Sequence, residues 1–186
     1  MIVAAITIPL LKSVNIRAAQ RSDLPDLEWG GEYIHFRRIY EDVYQGTLRG
    51  EALMWLAELQ IVGVIGQLFV QLMTERDKRA DEHNRAYIYG FRIQARYRQQ
   101  GIGSRMLLVA EADLLRRGYR WINLNVARDN LPARRFYERH GFQVVAPVPG
   151  RWNYLDHRGH RRRVVEPAWR MEKEVSTQEK VSVLLD

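Results

Sequence analysis

The chain has 186 residues, 46% of them hydrophobic, with a formal charge of +7 and a pI near 9.9. That is the size and polarity of one soluble globular domain, and no apolar run is long enough for a membrane-spanning helix. Cysteine is absent, which excludes disulfides, thiolate nucleophiles and cysteine-based zinc sites and points to a cytoplasmic setting; the arginine-dominated charge favours an acidic ligand or partner.

In chain order, "MIVAAITIPLLKS" reads as an extra strand or loose arm over residues 1–13 rather than a signal peptide. "VNIRAAQRSDLPDL" predicts a short strand and then a helix capped by Ser22 or Asp23, with Pro25 in its first turn. After Gly30 and Gly31, the helical spacing of Phe36, Tyr40, Val43 and Thr47 predicts a second helix ending near Gly46 and Gly50. "ALMWLAEL" and "IVGVIGQLFVQLM" predict an antiparallel hairpin, and "TERDKRADEHNRA" a polar, exposed connection. "YIYGFRIQ" reads as a strand whose Gly90 signals a bulge or a closely approaching partner.

"RYRQQGIGSRML" follows, two glycines among three arginines, and then a helix that buries Met106, Leu107, Ala110 and Leu114 and stops at Gly118. "RWINLNVA" alternates as a strand, and Asn130 and Pro132 open a short helix closed by His140-Gly141. "FQVVAPV" and "RRRVVEPAWRMEKEV" complete the sheet, joined by a long hairpin through "RWNYLDHRGH". With no repeat or linker, one domain over 14–175 and a loose tail over 176–186 are expected, in a mixed α/β (α+β) sheet.

Paired glycines at a strand-to-helix junction let an anion approach the free amides of the helix start. A P-loop is excluded because Gly103 is followed by Ser104-Arg105, and a dinucleotide fingerprint because Met106 stands where a third glycine belongs. "FRIQARYRQQGIGSRML" together with "LNVARDNLPARRFYERHGF" resembles the GNAT family of acetyl-CoA-dependent N-acetyltransferases. The likeness is specific over residues 87–145 and looser before them.

The resemblance implies a GNAT fold, in which helices flank a centrally splayed mixed sheet, and acetyl-CoA as cosubstrate without a metal. It implies that Phe91, Arg92 and Ile93 offer backbone groups to the pantetheine arm. Arg98, Gln99, Gln100, Gly101, Ile102, Gly103 and Ser104 would hold the diphosphate, and Asn130 the pantetheine end. Tyr137 would point its phenol at the thioester sulfur, where a group of pKa near 10 can donate a hydrogen bond at neutral pH.

The acceptor would be an amine of a small molecule or protein, with no membrane role and no dedicated nucleic-acid role; a homodimer is compatible. Glu58 and Glu32 are candidate bases, though each reads more readily as a solvated surface glutamate, so none is assigned. His157 and His160 lack further close metal ligands in sequence. Trp29, Tyr33 and His35, with Trp152 and Tyr154, are expected on the acceptor side. The rival readings are another acyl-CoA, a CoA-binding module without turnover, and a basic nucleic-acid-associated protein.

Overall fold

A computed structural model describes residues 10–72 and 84–175. Of the arm expected over 1–13, residues 1–9 lie outside the described residues, as do most of the polar connection (73–83) and the tail from 176; the arm's last four residues are helical rather than a strand or loose arm. A single helical turn, α1 (Leu10–Ser13), leads into β1 (Val14–Ala18). A 3-10 helix (Arg21–Glu28), a short turn (Ile34–Phe36) and α2 (Arg37–Leu48) precede the hairpin of β2 (Ala52–Leu59) and β3 (Gly63–Leu72). Then come β4 (Arg85–Ile93), α3 (Ile102–Arg116), β5 (Trp121–Ala127), α4 (Leu131–Arg139) and β6 (Gln143–Val148). The chain closes with β7 (Arg151–Leu155), β8 (Arg161–Val165) and β9 (Ala168–Glu174).

Seven strands form one sheet in the order β1-β2-β3-β4-β5-β9-β6, and β7 and β8 form a separate ribbon. Only β4 and β5 pair in parallel, joined through α3. Because α4 carries the chain back across the sheet, β6 runs in the direction of β5, and β9 fills the space between them antiparallel to both.

The sheet separates two apolar clusters. On one face α3 buries Met106, Leu107, Ala110 and Leu114 against Ile88, Ile122, Leu124 and Met171, with Tyr137 and Phe142 alongside. On the other, the 3-10 helix and α2 bury Leu27, Tyr40 and Val43 against Met54, Leu56 and Phe69. Alternation along β2 and β3 supplies both faces, since strand side chains point to opposite sides in turn. A buried Lys173–Glu111 pair, 3.1 Å to both oxygens, ties β9 to α3.

Two local readings are corrected. The first helix is 3-10, and Gln20 stands at its N-cap rather than Ser22 or Asp23. Asp23 sits three residues in, accepts the Gln20 amide at 2.7 Å, and pairs with Arg17 at 2.7 Å. Pro25 lies inside this helix and lacks the N–H a longer α-helix needs there. The segment "RRRVVEPAWRMEKEV" is two strands: Glu166-Pro167 breaks it, so β8 leaves the main sheet to pair with β7.

Candidate active site

Gly90 shapes the end of β4. Its φ is +58°, and a Cβ there would lie 2.6 Å from the Phe69 ring. Phe69 pairs with Tyr89 but Gln67 with Arg92, so Gly90 and Phe91 together stand against the single Leu68. This bulge resets the alternation of the strand. Phe91 and Ile93 pack with the α3-side cluster, whereas the Arg92 guanidinium lies on the α2 side, over the Tyr33 and Phe36 rings.

Pairing of β4 with β5 stops at Ile88–Leu124, while β5 continues to Ala127 against β9. The strands therefore part beyond Tyr89, leaving main-chain groups of Phe91–Ile93 without a β5 partner. A cleft of about 870 Å³ opens at this parting. It is lined by Phe91, Arg92, Ile93, Arg98, Gln99, Gly101, Gly103, Ser104, Asn130 and Tyr137, with Tyr33 on the far wall. Of the sequence-predicted residues, Gln100 and Ile102 do not line it. The Gln100 side chain turns back to the Arg96 carbonyl at 3.1 Å, and Ile102 is buried in the core.

Gly101 caps α3 with φ +79°, and the first helical bond runs from the Arg105 amide to the Gly101 carbonyl at 3.0 Å. The amides of Ile102, Gly103 and Ser104 precede that bond and so have no helical acceptor. Arg105 fastens the loop to the N-terminal turn, donating to the Leu11 and Val14 carbonyls at 2.7 and 2.9 Å. Arg98 donates to the Ile93 carbonyl at 2.9 Å. A diphosphate fits this donor set: three amides at a helix start, a glycine at 103 whose absent side chain leaves the floor clear, and three arginines (Arg98, Arg135, Arg139), with no carboxylate among the described lining residues.

Asn130 caps α4, accepting the Ala133 amide at 3.2 Å. Tyr137, one turn from the helix end, packs its ring against Phe136 and Phe142. Burial, and secondarily the neighbouring Tyr87 phenol, push its pKa well above that of a free tyrosine. It therefore stays protonated at any physiological pH.

The predicted acceptor-side aromatics do meet. Phe36, which sequence reading placed only in the helix, joins Tyr33 to Trp152 and Tyr154, with centroids 6.3, 6.4 and 5.1 Å away. His35 lies 4.1 Å from Phe36. Burial, then the charge of Arg92, lowers the His35 pKa. Trp29 and Tyr33 line a second recess of about 660 Å³, shared with Glu32, Gln94, Arg96 and Arg98. Trp152 and Tyr154 back the wall rather than line either opening. Of the candidate bases, Glu58 is paired with Arg17 at 2.7 Å on β2, and Glu32 is exposed beside Tyr33. Among the described residues no three metal-ligating side chains converge, and no helix is long and apolar enough to cross a membrane.

No curated protein sequence matches the chain significantly. Solved structures share its fold at low identity. The chain is similar to a spermidine N-acetyltransferase chimera from Vibrio cholerae and hSSAT, with TM-score 0.68 and 17% identity over 90% of this chain and 99% of that one. The ribosomal-protein-S18-alanine N-acetyltransferase from Escherichia coli gives 0.64 and 18%, over 88% and 94%. The PaiA N-acetyltransferase from Thermoplasma acidophilum, solved in complex with coenzyme A, gives 0.64 and 21%, over 87% and 99%. The profile of the Acetyltransferase (GNAT) family matches residues 18–142, spanning the parted strands, the glycine loop and α4. With its glycine loop, asparagine cap and buried tyrosine converging on one cleft, the chain belongs to the GNAT family of acetyltransferases.

Proposed function

We propose that the protein transfers the acetyl group of acetyl-CoA to a primary amine of a small molecule or protein by direct attack. One observation carries this reading: the parting of β4 from β5 brings the α3 amides, Asn130 and the Tyr137 phenol into a single cleft. Bound acetyl-CoA supplies an activated acetyl thioester.

The amides of Ile102, Gly103 and Ser104 hold the diphosphate, with Arg98 at the rim, and the main chain of Phe91–Ile93 on the side that β5 leaves open holds the pantetheine arm. Asn130 contributes its amide group beside that arm while its carbonyl oxygen caps α4. A main-chain N–H of β4 polarises the acetyl carbonyl. Tyr137 holds a proton at Oη and shares it with negative charge developing on the sulfur. A thiol near pKa 8.5 does not pull a proton fully from a phenol near 10, and burial raises the Tyr137 pKa further. The phenol acts as a hydrogen-bond donor, with transfer late or partial. With no carboxylate among the described residues lining the cleft, the amine enters neutral or gives up its proton to water.

Tyr137→Phe tests the reading. Turnover should fall on the order of 10²-fold while acetyl-CoA affinity by calorimetry stays unchanged. A wild-type rate in single-turnover measurements would leave Tyr137 as packing alone.

A further inference from the structure

Arg92 is built into the cleft in a way the cosubstrate does not account for. Its backbone lies on the strand end that parts from β5, but the Gly90 bulge turns its side chain away from α3 and the glycine loop. The guanidinium rests over the Tyr33 and Phe36 rings, 4.6 Å from each centroid. The two rings hold the group in place, and its five N–H donors are available for hydrogen bonds beyond them. Its one hydrogen bond to a described residue is long, 3.5 Å to the Tyr40 hydroxyl.

The acids of this neighbourhood form no ion pair with Arg92: Glu32 is exposed and bonds the Tyr33 hydroxyl. Glu28 is held by Arg37 in a two-bond pair, and Asp156 accepts Arg162 and two main-chain amides. Arg92 forms no ion pair with a described carboxylate, and no described carboxylate lines the cleft. A half-buried cation held in place without a counterion carries a desolvation cost. An anion delivered by the ligand would offset it.

We infer that Arg92 is an anion subsite for the acceptor, and that the acceptor is an amine that also carries a carboxylate or phosphate group. This deepens the acetyltransferase reading and rests on it. The diphosphate of the cosubstrate sits at the α3 amides, across the sheet from the Arg92 side chain, so the anion belongs to the second substrate. The same arginines disfavour a polycationic acceptor, which would meet like charge at Arg92 and Arg98.

The test is a titration of matched amine pairs into the protein saturated with CoA. Phenylalanine is compared with phenethylamine, β-alanine with ethylamine, and phosphoethanolamine with ethanolamine. The anionic member should bind at least tenfold tighter in one or more pairs, and the pair that responds distinguishes carboxylate from phosphate. Arg92→Gln should abolish that preference while the Kd for CoA stays unchanged. Arg92→Lys, which keeps the charge without the planar fork, should restore part of it. Equal, weaker or undetectable binding of every anionic member overturns the inference. So does an Arg92→Gln variant that weakens CoA itself. Failure of the acetyltransferase reading shows separately, as a wild-type protein that does not bind acetyl-CoA.

Discussion

Replacing Gly90 with alanine tests the bulge on which the cleft depends. Two costs combine. A left-handed φ of +58° costs an L-residue about 1–2 kcal/mol. The new Cβ would also stand 2.6 and 3.0 Å from two carbons of Phe69, where unstrained carbons keep about 3.5–4.0 Å. Phe69 cannot retreat freely, being 2% exposed and packed edge-on against both Tyr40 and Tyr89. Overpacking of this kind costs about 1–3 kcal/mol, so the total should be about 2–5 kcal/mol. Gly118→Ala is the internal control: its φ is +86°, but nothing lies within 4 Å of the added carbon. Urea denaturation of both variants isolates the ring contact as their difference, and Phe69→Leu in the Gly90→Ala background should recover part of it. The folded fraction of Gly90→Ala should also show a raised KM for acetyl-CoA, because Phe91–Ile93 lose their alignment. A Gly90→Ala variant no less stable than Gly118→Ala would refute the close approach of Phe69.

Three further outcomes are expected. Gly103→Glu should weaken acetyl-CoA binding at least tenfold by calorimetry with the fold intact, since a Cβ at this position meets Phe136 and Phe91 only at ordinary distances of 3.5 and 3.7 Å; unchanged affinity would move the phosphates elsewhere. Trp152→Ala should raise the apparent KM for the amine and not for acetyl-CoA, because Trp152 supports Phe36, which in turn holds Arg92; a change confined to the melting temperature would assign it to packing. At Asp156, burial alone would raise the pKa, but the His160 amide, the Arg162 guanidinium and the Arg158 amide outweigh it and hold it down to about 2. A depressed carboxylate stabilises the fold above its unfolded pKa of about 3.9 and loses that contribution as pH falls towards the folded value. Protection of the His160 and Arg158 amides should therefore persist from pH 7 to about 4, weaken below it and be lost as the pH nears 2; loss at pH 5 to 6 would refute the assignment.

Local chemistry made most of the elements legible. The 3.6-residue spacing of Met106, Leu107, Ala110 and Leu114 marked α3 and its buried face, and all four are fully enclosed. Alternation marked β5, and Asn130 caps α4 as its residue type suggests. The glycine pair marked the strand-to-helix junction, where Gly101 caps α3 at positive φ. These signals depend on residues within one or two turns of each other.

Long-range contacts decided the rest. Nothing local distinguishes Arg92 from its neighbours on β4; its direction follows from the bulge, which depends on Phe69 pressing on Gly90 from another strand. Phe36 read as one more helical apolar residue, yet it is the ring through which the first loop and the β7–β8 ribbon meet. That β8 leaves the sheet while β9 inserts between β5 and β6 was equally hidden, since both strands read as one run. Glu58 read as a possible base until Arg17 of a neighbouring strand was found to hold it. A sequence specifies which residues favour a strand, a cap or a turn, but a side chain's direction and counter-charge are set by partners distant in the chain, and only the packed sheet brings those within a few ångströms.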